Sequence, residues 1–198
     1  HAQLLLAVIL LQQGLFGGLW LIAGRLRLAR RPALHWAAAT LGVAMGMSLL
    51  LGRGTLPIWL SLYVANVLLV ASLITLRRGI QVFLRTPPTD REHAATLAAG
   101  ALLIGLAAAL GLGVWLVSIT TSAALAYSML RAGFEMRRAL AGEFGAQAAR
   151  WCALPASLFG GRFGVRALAL LVLGPEAEGY IAAPGAHNSG VVFGALVF

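Results

Sequence analysis

Long apolar runs, broken by short clusters rich in arginine, glycine or proline, set the pattern of this chain. A helix that crosses a bilayer needs about 20 mainly apolar residues. Runs at 4–23, 34–51, 56–76, 94–112 and 148–173 meet or approach that length, and each predicts a spanning helix. The first closes on Arg25, Arg27, Arg30 and Arg31, the second on Gly52-Arg53-Gly54, and the third on Arg77-Arg78. The polar loop Arg85-Thr86-Pro87-Pro88-Thr89-Asp90-Arg91-Glu92 follows, and its proline pair cannot continue a helix. A fifth span falls between 114 and 141, where Ser118 to Ser122 reads as a short turn. After the sixth run, Gly174-Pro175-Glu176-Ala177-Glu178-Gly179 opens a loop reaching about Ser189, and 190–198 is again purely apolar.

The expected fold class is therefore all-α: a polytopic transmembrane helix bundle with six complete spans and the start of a seventh. It forms one domain over 1–198. The chain opens on His1 and stops inside an apolar run, so it reads as a fragment that continues beyond 198. The first run is a poor signal peptide, because no basic region precedes it and its arginine cluster lies on the C-terminal side.

Composition supports a membrane reading and removes others. Hydrophobic residues make up 60% of the 198 residues and charged residues only 11%, against about 25% charged in an ordinary globular domain. Mean hydropathy is +0.88. Disorder, a coiled coil and a disulfide scaffold are excluded, the last by the single Cys152. All 15 basic residues are arginine, against 6 acids, for a formal charge of +9. On a soluble domain that excess would point to nucleic acid, but here position decides. Four arginines follow span one, four lie between spans three and four (Arg77, Arg78, Arg85, Arg91), and Arg131, Arg137, Arg138 and Arg150 lie between five and six. The opposite side has Arg53 alone. The positive-inside rule then puts the N-terminus outside and removes nucleic acid as a partner. Trp20, Trp36 and Trp151 near inner ends, with Trp59 and Trp115 near outer ends, form the matching aromatic belt.

Chemistry-bearing patterns are few. His1, His35, His93 and His187 are scattered without metal-ligand spacing. His35 would be the first choice as a haem-type ligand, but an interfacial side chain is the simpler reading. Glu92-His93 lacks the second histidine of a zincin motif, and Gly160-Gly161-Arg162-Phe163-Gly164 lies within an apolar run, a poor phosphate cradle. No catalytic or metal site is assigned, and the sequence names no cofactor. Small residues four apart (Ala38, Gly42, Gly46; Ala101, Gly105, Ala109, Gly113) serve close helix packing within one bundle first, and a homodimer or neighbouring membrane subunits second. Charges inside spans carry more information, since they usually face a bundle interior or a water-filled cavity. Arg162 and Arg166 are four apart on one helical face, as are Arg131 and Glu135, which can neutralise each other. Gln12, Gln13, Asn66, Tyr127 and Ser128 are polar groups available to the same interior. The candidate ligand-binding residues are Arg162, Arg166, Asn66 and Tyr127, lining an outward-facing pocket for an anionic or carboxylate ligand. The competing reading satisfies both arginines structurally, through helix carbonyls and polar side chains.

The segment Gly17-Gly18-Leu19-Trp20-Leu21-Ile22-Ala23-Gly24-Arg25-Leu26-Arg27 is followed by a span beginning near Trp36. Then come Leu56-Pro57-Ile58-Trp59-Leu60-Ser61, Ala65-Asn66 and Arg77-Arg78-Gly79-Ile80-Gln81-Val82-Phe83-Leu84. This arrangement resembles the N-terminal membrane sensor region of bacterial diguanylate cyclases, the GGDEF-domain proteins. The resemblance covers most of the chain and implies a multi-pass sensor or anchor of the bacterial inner membrane whose last helix drives a cytoplasmic output domain. No Gly-Gly-Asp-Glu-Phe signature occurs in this chain, so no cyclase residue is carried over. Two other classes stay open: a non-catalytic subunit of a photosynthetic or respiratory complex, and, third, a transporter. A transporter would normally show two related halves, and no repeat is visible.

Overall fold

A computed structural model of the chain describes residues 2–111 and 113–174. Its regular structure there is entirely helical: α1 (Ala2–Arg25), α2 (Arg30–Leu51), α3 (Ala65–Phe83), α4 (Asp90–Ala109) and α5 (Gly113–Leu173). α3 is entered through a π-helical turn, Trp59–Val64. These five helices, α3 taken with its lead-in, are long and apolar enough to cross a membrane. The expected seventh span at 190–198, the loop acids Glu176 and Glu178, and His1, His187 and Leu112 lie outside the described residues.

Three elements differ from the sequence expectation. α3 continues to Phe83, past the arginine pair expected to close it. An arginine ends an apolar run but not a helix, and Arg77 has carboxylate partners that keep it inside. α4 begins at Asp90, with Asp90 and Glu92 in its first turn, where the helix dipole favours negative charge. Ser118 to Ser122 is helical rather than a turn. The stretch holds no Pro or Gly, and Ser and Thr disfavour a helix only mildly.

α5 has 61 residues, about 90 Å if straight at ~1.5 Å per residue, three times the ~30 Å hydrocarbon core. It does not run straight. Gly145 has φ 82° and ψ 160°, a conformation open essentially to glycine alone, and the chain folds back there. Trp115 Nε1 donates to the Leu170 carbonyl at 2.7 Å, and Arg166 Nη1 donates to Ser122 Oγ at 3.3 Å. A Cβ on Gly160 would lie 2.8 Å from the Leu130 nitrogen, and one on Gly133 would lie 2.6 Å from Ser157 Oγ. Residues 115 and 170, 122 and 166, 130 and 160, and 133 and 157 therefore face each other. α5 is an antiparallel hairpin of two arms, 113–144 and 146–173, in close contact through glycine.

α3 sits at the centre, with α2, α4 and α5 packed on it and α1 packed on α2. Val70, Leu73 and Ile74 of α3 form one core with Leu125, Ala126, Met129 and Phe163 of the hairpin. Leu62, Ile104, Ala107 and Val117 form a second. The small residues of α2 are used here, since a Cβ on Gly46 would come within 3.1 Å of the Ala65 carbonyl oxygen. The stripe in α4 is not used, because Gly105 has open space around it. Leu102, Leu110, Leu168 and Val172 point outward, an apolar exterior suited to lipid. Buried and half-buried hydroxyls bond back to the carbonyl four residues earlier, as Ser61, Ser72, Thr75 and Ser157 do. That habit keeps polar side chains tolerable in apolar helices.

Candidate functional site

Polar groups inside the bundle collect in two places, one near each end. At the end carrying the α1–α2 and α3–α4 connections and the Gly145 fold, Arg77 is the organising residue. Its side chain is 1% exposed. Nη1 donates to Glu92 Oε1 at 2.8 Å, Nη2 to Glu135 Oε1 at 2.5 Å, and Nε to Glu135 Oε2 at 3.2 Å. Nη2 also donates to Thr89 Oγ1 at 3.2 Å. Glu92 receives Arg131 Nε at 3.1 Å and the Tyr127 hydroxyl at 2.6 Å, while Gln81 Nε2 donates to Thr89 and Glu135. Arg77 and Arg131 balance Glu92 and Glu135, so the network is neutral and ties α3, α4 and the first arm of α5 together. Arg78 adds an outer pair with Asp90 at 3.1 Å.

Sequence reasoning paired Arg131 with Glu135, and they do approach to 3.9 Å. The closer partner of each lies on another helix. The i, i+4 spacing gave no hint that Arg77, expected to close a span, reaches Glu135 fifty-eight positions away. The one available signal was that Glu92, next to Arg91, and Glu135, two before Arg137, are acids in a chain with only 6 of them.

At the other end, where α2 stops and both arms of α5 have their free ends, lies a cavity of about 420 Å³. Its polar lining is Gln13, Arg53, Asn66, Ser118, Thr121 and Arg166, drawn from α1, the end of α2, α3 and both arms of α5. The remaining twelve of its eighteen lining residues are apolar. The π-helical turn shapes one wall, with Leu62 and Asn66 on the cavity side and Asn66 Nδ2 donating to the Leu62 carbonyl at 2.5 Å. Arg53 and Arg166 both line the cavity, and Arg166 Nη1 donates to Ser122 Oγ at its edge.

Of the four residues singled out from sequence, Arg166 and Asn66 meet in this cavity. Tyr127 does not, being held in the Arg77 network. Arg162, one turn before Arg166, is absent from the lining, and its Nη2 is buried with no hydrogen-bond partner among the described residues. Its guanidinium carbon stands 5.8 Å from the Phe163 ring centroid, within the range of a cation–π contact. Gln13 lines the cavity while Gln12 faces outward. Thr121 was missed because it falls in the stretch from Ser118 to Ser122, which reads in the sequence as a short turn and not as a helix facing the interior. His35, weighed as a ligand, has Nδ1 donating to the Arg31 carbonyl at 2.8 Å. Among the described residues no three His, Cys, Asp or Glu side chains gather as metal ligands would.

Fold and site together define an all-helical chain with an apolar exterior and five helices able to cross a membrane, holding a closed ion network near one end and a cationic cavity near the other. Scans against protein-family models, curated proteins and solved structures return no match to it.

Proposed function

We propose that the chain is the membrane-embedded input module of a bacterial signalling protein, of the kind that precedes a diguanylate cyclase domain, seated in the inner membrane. In this reading the two arms of α5 cross separately, giving six crossings with α1 to α4, and 190–198 begins a seventh. The N-terminus lies outside. Support for the orientation comes from twelve of the 15 arginines gathering at the end of the bundle opposite Arg53. Support for the role comes from one observation: a ligand-sized cavity and a neutral ion network lie near opposite ends of the same three-helix contact between α3 and the α5 hairpin. Occupancy at one end shifts helices that the network ties together at the other, and small helix shifts of this kind are an established way to pass a signal. The bilayer is the first partner, and a second copy of the chain is the expected one.

Two measurements test this. With Cys152 replaced by Ser, single cysteines at 53 and at 85 should label from opposite sides of intact cells; labelling from the same side would overturn the orientation. Expression of the intact gene should change cellular cyclic-di-GMP, and Arg77→Met should alter that change at equal protein abundance. An unchanged nucleotide level, with recovery in fixed ratio with other chains, would replace the sensor reading by the complex-subunit one.

A further inference from the structure

The bundle end that holds the Arg77 network is unevenly charged, and the excess lies on one edge. The connection from α1 to α2 reads Arg25-Leu26-Arg27-Leu28-Ala29-Arg30-Arg31, with every one of these side chains exposed. Arg85, two residues beyond Phe83 of α3, adds a fifth exposed guanidinium at the same end. Among the described residues no salt bridge reaches any of the five. The acids of that end are committed elsewhere: Glu92 and Glu135 to Arg77 and Arg131, and Asp90 to Arg78. Glu143 stands two residues before the Gly145 fold, on α5, which packs on neither α1 nor α2. α2 opens on Arg30 with no acid in its first turn and no side-chain cap at Ala29, so the positive end of its dipole adds to the charge. The positive-inside rule counts arginines per side and is met wherever on that side they fall. It does not explain an edge without acids.

Depth and polarity say which anion suits this edge. The rings of Trp20 and Trp36 meet at 4.6 Å between centroids, and those of Trp36 and Phe83 at 5.5 Å, a row across the ends of α1, α2 and α3. Indole rings favour the headgroup level. Arg25 is five residues beyond Trp20 and Arg31 five before Trp36, about 7.5 Å of helix in each case, which carries the guanidiniums to the lipid phosphates. Leu26 and Leu28, 66% and 63% exposed, alternate with them. A free phosphate would answer the guanidiniums and leave both leucines in water. A phospholipid answers both, with its phosphate on the arginines and its chains beside the leucines.

We propose that the α1–α2 turn, with Arg85, is a selective binding site for an anionic phospholipid. Its phosphodiester pairs with the guanidiniums, and its acyl chains lie against Leu26, Leu28 and the Trp20–Trp36 pair. The assignment rests on the membrane reading, and on neither the signalling role nor the side that faces the cytoplasm.

The test is native mass spectrometry of the chain released from nanodiscs of equal parts phosphatidylglycerol and phosphatidylcholine. Phosphatidylglycerol should be retained about tenfold more than phosphatidylcholine. Arg27→Gln with Arg30→Gln should bring that preference to about twofold or below. Arg137→Gln with Arg138→Gln, which removes the same charge from the α5 hairpin at the same end, should leave it unchanged. Leu26→Ser with Leu28→Ser keeps every charge and should lower the phosphatidylglycerol retained, which covers a glutamine variant that fails to fold. Equal retention of the two lipids, an equal fall in the turn and hairpin variants, or indifference to the leucine variant overturns the proposal. Displacement of the lipid by glycerol 3-phosphate does so too, in favour of a free phosphate. A chain that does not enter nanodiscs overturns the membrane reading as well, whereas one that enters without preference overturns the lipid site alone.

Discussion

Replacing Arg77 by methionine removes the centre of the ion network while roughly keeping side-chain length. Four hydrogen bonds disappear, to Glu92, Thr89 and twice to Glu135. Glu92 keeps Arg131 and Tyr127. Among the described residues Glu135, 13% exposed, keeps Gln81 close by, with Arg131 at 3.9 Å. Polar contacts between membrane helices average ~0.6 kcal/mol each, so four set a floor near ~2.4 kcal/mol. Stranding a buried charge raises the cost toward ~3–5 kcal/mol. Arg131→Met is the control. Arg131 is 36% exposed and Glu92 retains Arg77, which puts its loss in the ~0–1 kcal/mol range of exposed pairs. The gap between the two variants should exceed about 1.4 kcal/mol, a factor of ten in the unfolding equilibrium. The assay is reversible unfolding in bicelles followed by tryptophan fluorescence. If the cost lies in the stranded carboxylate, Arg77→Met with Glu135→Met should be at least ~1 kcal/mol more stable than Arg77→Met alone. Equal stability of Arg77→Met and Arg131→Met would refute the central role of Arg77. A double variant less stable than Arg77→Met would refute the stranded-charge argument.

Two further outcomes follow from the hairpin. Gly160→Leu should destabilise by about 1–3 kcal/mol, since a Cβ there meets the Leu130 nitrogen and Ala126 carbonyl oxygen, backbone atoms that cannot swing aside. Gly161→Leu, in open space, should unfold like the wild type; matching losses for the two would refute the close contact of the arms. Gly145→Ala should cost about 1–3 kcal/mol in the same assay because φ 82° with ψ 160° is closed to alanine, and no loss would mean that the fold-back does not need this conformation.

The amino-acid sequence alone determined the helical class, the apolar exterior and the segregation of charge. Each depends only on local hydrophobicity and on counting arginines between runs, and neither changes with how the runs are later packed. It also marked Arg166 and Asn66, because a charge or amide inside an apolar run is conspicuous without any knowledge of its neighbours. The tertiary structure decided the rest. That Arg77 is buried with Glu92 and Glu135 rather than closing a span depends on α4 and the α5 hairpin meeting at its side chain. That Tyr127 belongs to that network while Asn66 faces the cavity depends on which way each helix is turned about its axis. Such facts arise between residues tens of positions apart. The spacing rules of a single helix, which relate a residue to the third or fourth beyond it, do not reach that far.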